Sequence, residues 1–228
     1  MQSQDATTVW LFKLWPWLEA NVKKLAVAAA VVLLAALLIS YYSWRQEKKE
    51  VDAGQAFTQA AMTSDDSQRV DAFLKIAADY PGTPAGQRAL LQAAEALFQT
   101  GNFADAQAHF QKFLDTYPDS TFASQASLGV AACLSALGKT SDAADAYQRT
   151  INEASDPGTL INAKFGLAQI DDRLGKIPDA LGLYEDVANM DPGGPFGNEA
   201  ALRAMELKAK LPATSAPAAL DSTFNLNH

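Results

Sequence analysis

Apolar positions along the chain obey two rules in succession. From Leu25 to Trp44 no charged residue interrupts them, whereas farther on they return at the i, i+3, i+4 spacing of helices that bury one face. The second region also keeps a longer beat. Phe73, Phe110, Tyr147 and Tyr184 stand 37 residues apart, and so do Ala106, Ala143 and Ala180; Gly101, Gly138 and Gly175; and Ala94, Ala131 and Ala168. A period of this length, held across four columns, predicts one supersecondary unit repeated in series.

Each unit reads as two antiparallel helices. In the clearest one, a first helix from about Pro84 to Thr100 stops at Gly101, which can adopt the left-handed conformation that closes a helix. Phe103, Ala106, Phe110 and Phe113 then mark a second helix, ended by Tyr117 and Pro118. The next unit repeats the plan through Leu137, Gly138, Ala143, Tyr147 and Pro157, and a third through Leu174, Gly175, Ala180, Tyr184 and Pro192. Before them, Phe73, Tyr80 and Pro81 hold the register in an atypical first unit whose leading helix runs on from the apolar run through Val51, Phe57 and Ala60.

The expected fold is therefore all-α: a transmembrane helix, then a solenoid of helix pairs closed by a capping helix. Its segments are a juxtamembrane stretch at 1–22, a span at 23–45, a bridging helix with the atypical repeat at 46–83, three repeats at 84–194, a cap at 195–211 and a disordered tail at 212–228. The cap covers an otherwise exposed apolar face. Richness in Ala, Ser, Thr and Pro marks the tail.

Leu25 to Trp44 is 20 residues, about 30 Å as a helix, which matches the hydrocarbon core of a bilayer. Tyr41, Tyr42 and Trp44 are aromatics of the kind that favour the interface. A cleaved signal peptide fits poorly, because large aromatics occupy the place of a small-residue cleavage site. Ahead of the span, Trp10, Leu11, Phe12, Leu14, Trp15, Trp17 and Leu18 form a cluster that either lies in the headgroup layer or docks a partner. Three basic residues flank each side, so the positive-inside count leaves the orientation open.

Charge divides unevenly along the 228 residues. Residues 1–50 carry a net +2 and the remainder −10, so the repeat region is acidic and its charge argues against nucleic acid as a partner. Cys133 is the sole cysteine and reads as a small core residue, while His109 and His228 are the only histidines, which leaves no His/Cys metal site. No cofactor, metal or small-molecule substrate is expected. His109 should face solvent, Asp65-Asp66 and Asp171-Asp172 read as solvated turn residues, and no glycine-rich phosphate cradle occurs, so no catalytic group is assigned.

From Ala85 to Pro192 these residues resemble the tetratricopeptide repeat, with its small residue in the first helix, Gly at the turn, Ala and an aromatic in the second helix and a closing Pro. Phe113, at a usually small position, and Thr140, at a usually aromatic one, depart from the pattern. The layout as a whole is similar to the YfgM family, ancillary subunits of the bacterial Sec translocon. That resemblance implies an inner-membrane protein with a cytoplasmic N-terminus and periplasmic repeats, associating with SecYEG and with PpiD-like chaperones. An envelope-assembly or cell-division scaffold is the rival reading, and an inverted topology with cytoplasmic repeats is another.

In such arrays the first helices line a concave surface that binds proteins. Transferring the groove columns selects Arg88, Leu91, Glu95 and Phe98, then Gln125 and Leu128, then Asn162, Phe165, Gln169 and Arg173. Leu91, Phe98, Leu128 and Phe165 either anchor a partner or pack against the neighbouring unit. A cluster of Lys, Arg and Asn able to clamp a chain-terminal carboxylate is missing.

Overall fold

The computed structural model describes the backbone of residues 5–211 and the side chains of residues 16–211. The tail expected at 212–228 lies outside the described residues, and so do the side chains of the cluster from Trp10 to Trp15. Nine helices and no strand occur among the described residues: α1 (Asp5–Ala61), α2 (Asp66–Asp79), α3 (Pro84–Gln99), α4 (Phe103–Thr116), α5 (Ala123–Ala136), α6 (Thr140–Glu153), α7 (Pro157–Arg173), α8 (Ile177–Met190) and α9 (Pro195–Lys210).

The chain divides into two compact units, residues 1–55 and 56–228. The first holds α1 as far as Gln55; the helix as a whole has 57 residues, passes through Gly54 and carries Pro16 inside it. Its apolar run is solvent-facing on every side: Val27, Leu34 and Leu38 are 65%, 61% and 69% exposed. This helix is long and apolar enough to cross a membrane. At the end of the run the Tyr41 and Trp44 rings lie 6.3 Å apart, and Lys48 Nζ sits 5.9 Å over the Trp44 ring.

In the second unit each helix packs on the next, and α3, α5, α7 and α9 also touch one another in turn. That pattern is a solenoid of helix pairs. Local chemistry sets the helix ends. Asp65, Thr83 and Asp156 accept hydrogen bonds from the backbone N–H of Gln68, Gly86 and Thr159, which satisfies donors that a helix start leaves unpaired. Pro84, Pro157 and Pro195 occupy first-turn positions that need no donor. Gly101, Gly138 and Gly175 follow the first helices with φ of +82°, +73° and +73°, conformations that cost a side-chain-bearing residue about 1–2 kcal/mol.

Packing explains the 37-residue columns. Ala94, Ala131 and Ala168, like Ala106, Ala143 and Ala180, are 0% exposed, because the two helices of a pair cross there. The aromatic column joins one unit to the next. A Cβ built on Gly129 would lie 2.6 Å from the Phe110 ring, and one on Gly166 would lie 2.5 Å from the Tyr147 ring. Each ring therefore rests on the bare backbone of the following first helix. Phe113, one of the two departures from the repeat pattern, is fully buried and lies tilted against the Tyr117 ring, centres 5.4 Å apart.

Candidate functional site

An open cleft of about 680 Å³ runs across the face formed by the first helices. Phe98 of α3, Ala132 and Ser135 of α5, Gln169 and Arg173 of α7 and Arg203 of α9 line it, with the Tyr147 and Tyr184 rings behind them. A second hollow of about 220 Å³ adjoins it at Phe98, between Glu95 and Gln99 on α3 and Gln125, Leu128 and Gly129 on α5. The α-helical repeat brings these side chains together because residues at 37-residue intervals fall on one face of successive parallel helices.

The ten residues selected from sequence fare differently. Phe98 and Leu128 are half-buried and sit at the hollow, with the Phe98 ring 5.1 Å from that of Phe103. Gln169 and Arg173 are exposed in the large cleft, where Arg173 donates to Ser135 Oγ at 3.2 Å and to the Gln169 carbonyl. Glu95 accepts from the side-chain amides of Gln92 and Gln125, both at 2.5 Å, so α3 and α5 are tied by a carboxylate at the rim. Arg88 is exposed and stacks over Phe57 at 5.4 Å, away from the residues that line either cavity. Asn162 spends its amide on the Gly158 carbonyl.

Of the two readings open for the apolar residues, anchor or packing, Leu91 and Phe165 take the packing one. Leu91 is 3% exposed within the core that joins α3 to α4 and α5, and Phe165 is 7% exposed between Tyr184 and Phe196, ring centres at 5.7 and 5.4 Å. Both are packed by the next unit because a first helix lends that flank to its neighbour. Arg203 is the residue that sequence reasoning passed over. It stands 37 residues after Gly166, outside the groove columns, which fall on Glu199, Leu202, Glu206 and Lys210 in α9, so the period gives no signal for it.

Other groups behave as structural chemistry. His109 is half-buried, with Nδ1 buried and without a hydrogen-bond partner, and burial together with nearby Lys112 pulls its pKa below the usual value, contrary to a solvent-facing histidine. Asp171 is also corrected: it is buried in α7 and paired with Lys176 at 3.2 Å. Burial pushes the Cys133 thiol up to about 11 and the Tyr184 phenol up to about 12, so neither ionises near neutral pH. Among the described residues no group of three His, Cys, Asp or Glu is placed to hold a metal ion.

Residues 16–135 match the family model described as a tetratricopeptide repeat-like domain. The crystal structure of MamA protein aligns with 75% of this chain and 100% of its own at 19% identity, TM-score 0.53. MamA 41-end from Desulfovibrio magneticus RS-1 aligns with 72% of this chain and 98% of its own at 16% identity, TM-score 0.52. PcrH in complex with the chaperone binding region of PopB aligns over 56% of this chain and 98% of its own at 21% identity, TM-score 0.45. No curated protein matches the chain in sequence. The MamA likenesses show the fold.

Proposed function

This chain belongs to the tetratricopeptide repeat-like domain family, and from that premise we propose that it is a single-pass, membrane-anchored adaptor that holds protein segments along the α3–α5–α7–α9 face. The observation that carries the reading is the cleft with its adjoining hollow: half-buried apolar surface at Phe98 and Leu128 beside the exposed polar groups of Gln169, Arg173 and Arg203. Apolar surface of this kind anchors a bound segment, while the amide and guanidinium groups orient it. The long uncharged stretch of α1 supports the anchor.

Anchoring turns capture into a reaction near a surface, so partners in the same membrane meet the cleft at raised effective concentration. The similarity of the layout to the YfgM family supports SecYEG and a PpiD-like periplasmic chaperone as partners, an inner-membrane location and periplasmic repeats. In that setting the protein passes translocated chains toward chaperones. No bond is made or broken in such a step.

A photo-reactive residue placed at Phe98 or Leu128 tests the assignment in membranes. Adducts with translocon or chaperone subunits are expected from both sites and not from Asp105, exposed on α4 and outside both hollows. Equal labelling from Asp105 would remove the cleft from the account. Phe98→Ala is expected to weaken capture about tenfold or more, as loss of an aromatic anchor does. External protease should digest the repeats in spheroplasts; protection would reverse the proposed orientation.

A further inference from the structure

The first helix of each inner pair is covered on the flank that meets its own second helix: Ala168 of α7 clusters with Ala180 and Tyr184 of α8, and Ala94, Ala131 and Ala168 are all 0% exposed. The last first-helix, α9, packs on α8 and α7, and no described helix follows it. One repeat on from Phe165 and Ala168, its Leu202 and Met205 are 56% and 68% exposed. The slot of a missing second helix is thus open and apolar.

At the end of α9 the hairpin turn that closes the other first helices is not made. At Leu137 and Leu174 the closing residue is αR and the glycine after it takes φ +73°, which starts the hairpin. Leu211 holds the same register but is extended, at φ −73° and ψ 134°, and Pro212 has replaced the glycine. Proline is locked near φ −65° and cannot make the left-handed turn.

We propose that the open slot is filled by a second copy of this chain, with two α9 helices packed antiparallel about a two-fold axis. Charge placement on α9 selects that occupant and that direction. Glu199, 3.8 Å from Arg203, lies near the start of the helix, and Lys208, 2.5 Å from Glu185 of α8, lies with Lys210 in its last turn; an antiparallel copy sets carboxylate near ammonium at both ends, while a parallel one sets like on like. Ala201 and Ala209 flank Leu202 and Met205 and leave room for the facing side chains to interdigitate. The contact is isologous, so it closes at two chains.

The test uses the purified full-length chain in mild detergent at about 50 μM, a concentration that populates a dimer of moderate affinity. Light scattering is expected to return a protein mass of two chains, and Leu202→Glu combined with Met205→Glu is expected to return one chain with its helix melting unchanged, since both side chains are mostly exposed. Met205→Cys is expected to give a covalent dimer with a short bis-maleimide, whereas Asn152→Cys on the outer side of α6 does not; buried Cys133 stays silent. A one-chain mass for the unsubstituted protein overturns the proposal. So does a Cys at 205 that reacts with maleimide only after truncation beyond Leu211, which would make the tail the occupant, or a two-chain mass that survives both Glu substitutions.

Discussion

Residues 25–44 of α1 and the helix α5 are both apolar and nearly free of charge, yet they meet opposite fates. Val27 and Leu38 are 65% and 69% exposed, whereas Val130, Leu134 and Cys133 are 8%, 7% and 0% exposed. Length and surroundings make the difference. The 14 residues of α5 reach about 21 Å, too short for a bilayer, and α4, α6 and α7 cover them. The run in α1 is apolar all round, a pattern that suits a helix whose solvent is itself apolar. Apolar composition therefore says that a helix leaves water, and length and neighbours say what it enters instead.

The sharpest way to break that comparison is one aspartate in each helix. Leu134→Asp puts an unpaired charge into the core and is expected to abolish cooperative thermal unfolding at neutral pH, with a loss beyond about 4 kcal/mol. Leu34→Asp is expected to leave the repeat domain's melting unchanged and to weaken membrane insertion by about 2.5–3.5 kcal/mol, read as release on alkaline extraction. Matching melting losses in both variants would erase the distinction.

A single methyl sharpens it further. Gly166→Ala drives a Cβ into the Tyr147 ring at 2.5 Å and is expected to cost about 1–3 kcal/mol by chemical denaturation, while Ala36→Leu in the exposed run is expected to leave that stability untouched. The smallest effect is a proton. Burial lowers the His109 pKa below 6.5, so the folded state holds the neutral ring and the unfolded state binds the proton first. Stability is complete above pH about 6.5 and falls as pH drops through the folded value, and His109→Leu is expected to remove that slope. An unchanged slope in the variant would assign the pH dependence to other groups.

Much of the fold is legible in the sequence. The interval of 37 residues carries the helix pairs, the turn glycines and the alanine crossings, because every unit must solve the same packing problem. The site was legible in part. Phe98, Leu128, Gln169 and Arg173 lie where the columns put them, but Leu91 and Phe165 carry the same column and are sealed by the next unit. A column states which side of a helix a residue occupies and not whether a neighbour such as Phe196 closes over it. His109 and Asp171 differ from expectation for the same reason, since polarity alone suggests water where neighbouring helices supply the surroundings.

The period and the uncharged run were set by the sequence alone: a repeated pair of helices, and one helix suited to a membrane, follow from spacing and length through backbone geometry and the cost of wetting apolar surface. Which aromatic rests on which glycine, which anchors remain reachable, and that α9, the last described helix, leaves Leu202 and Met205 exposed were decided in three dimensions. Those outcomes depend on contacts between residues distant in the chain, and a side chain's accessibility is a property of its neighbours as much as of itself.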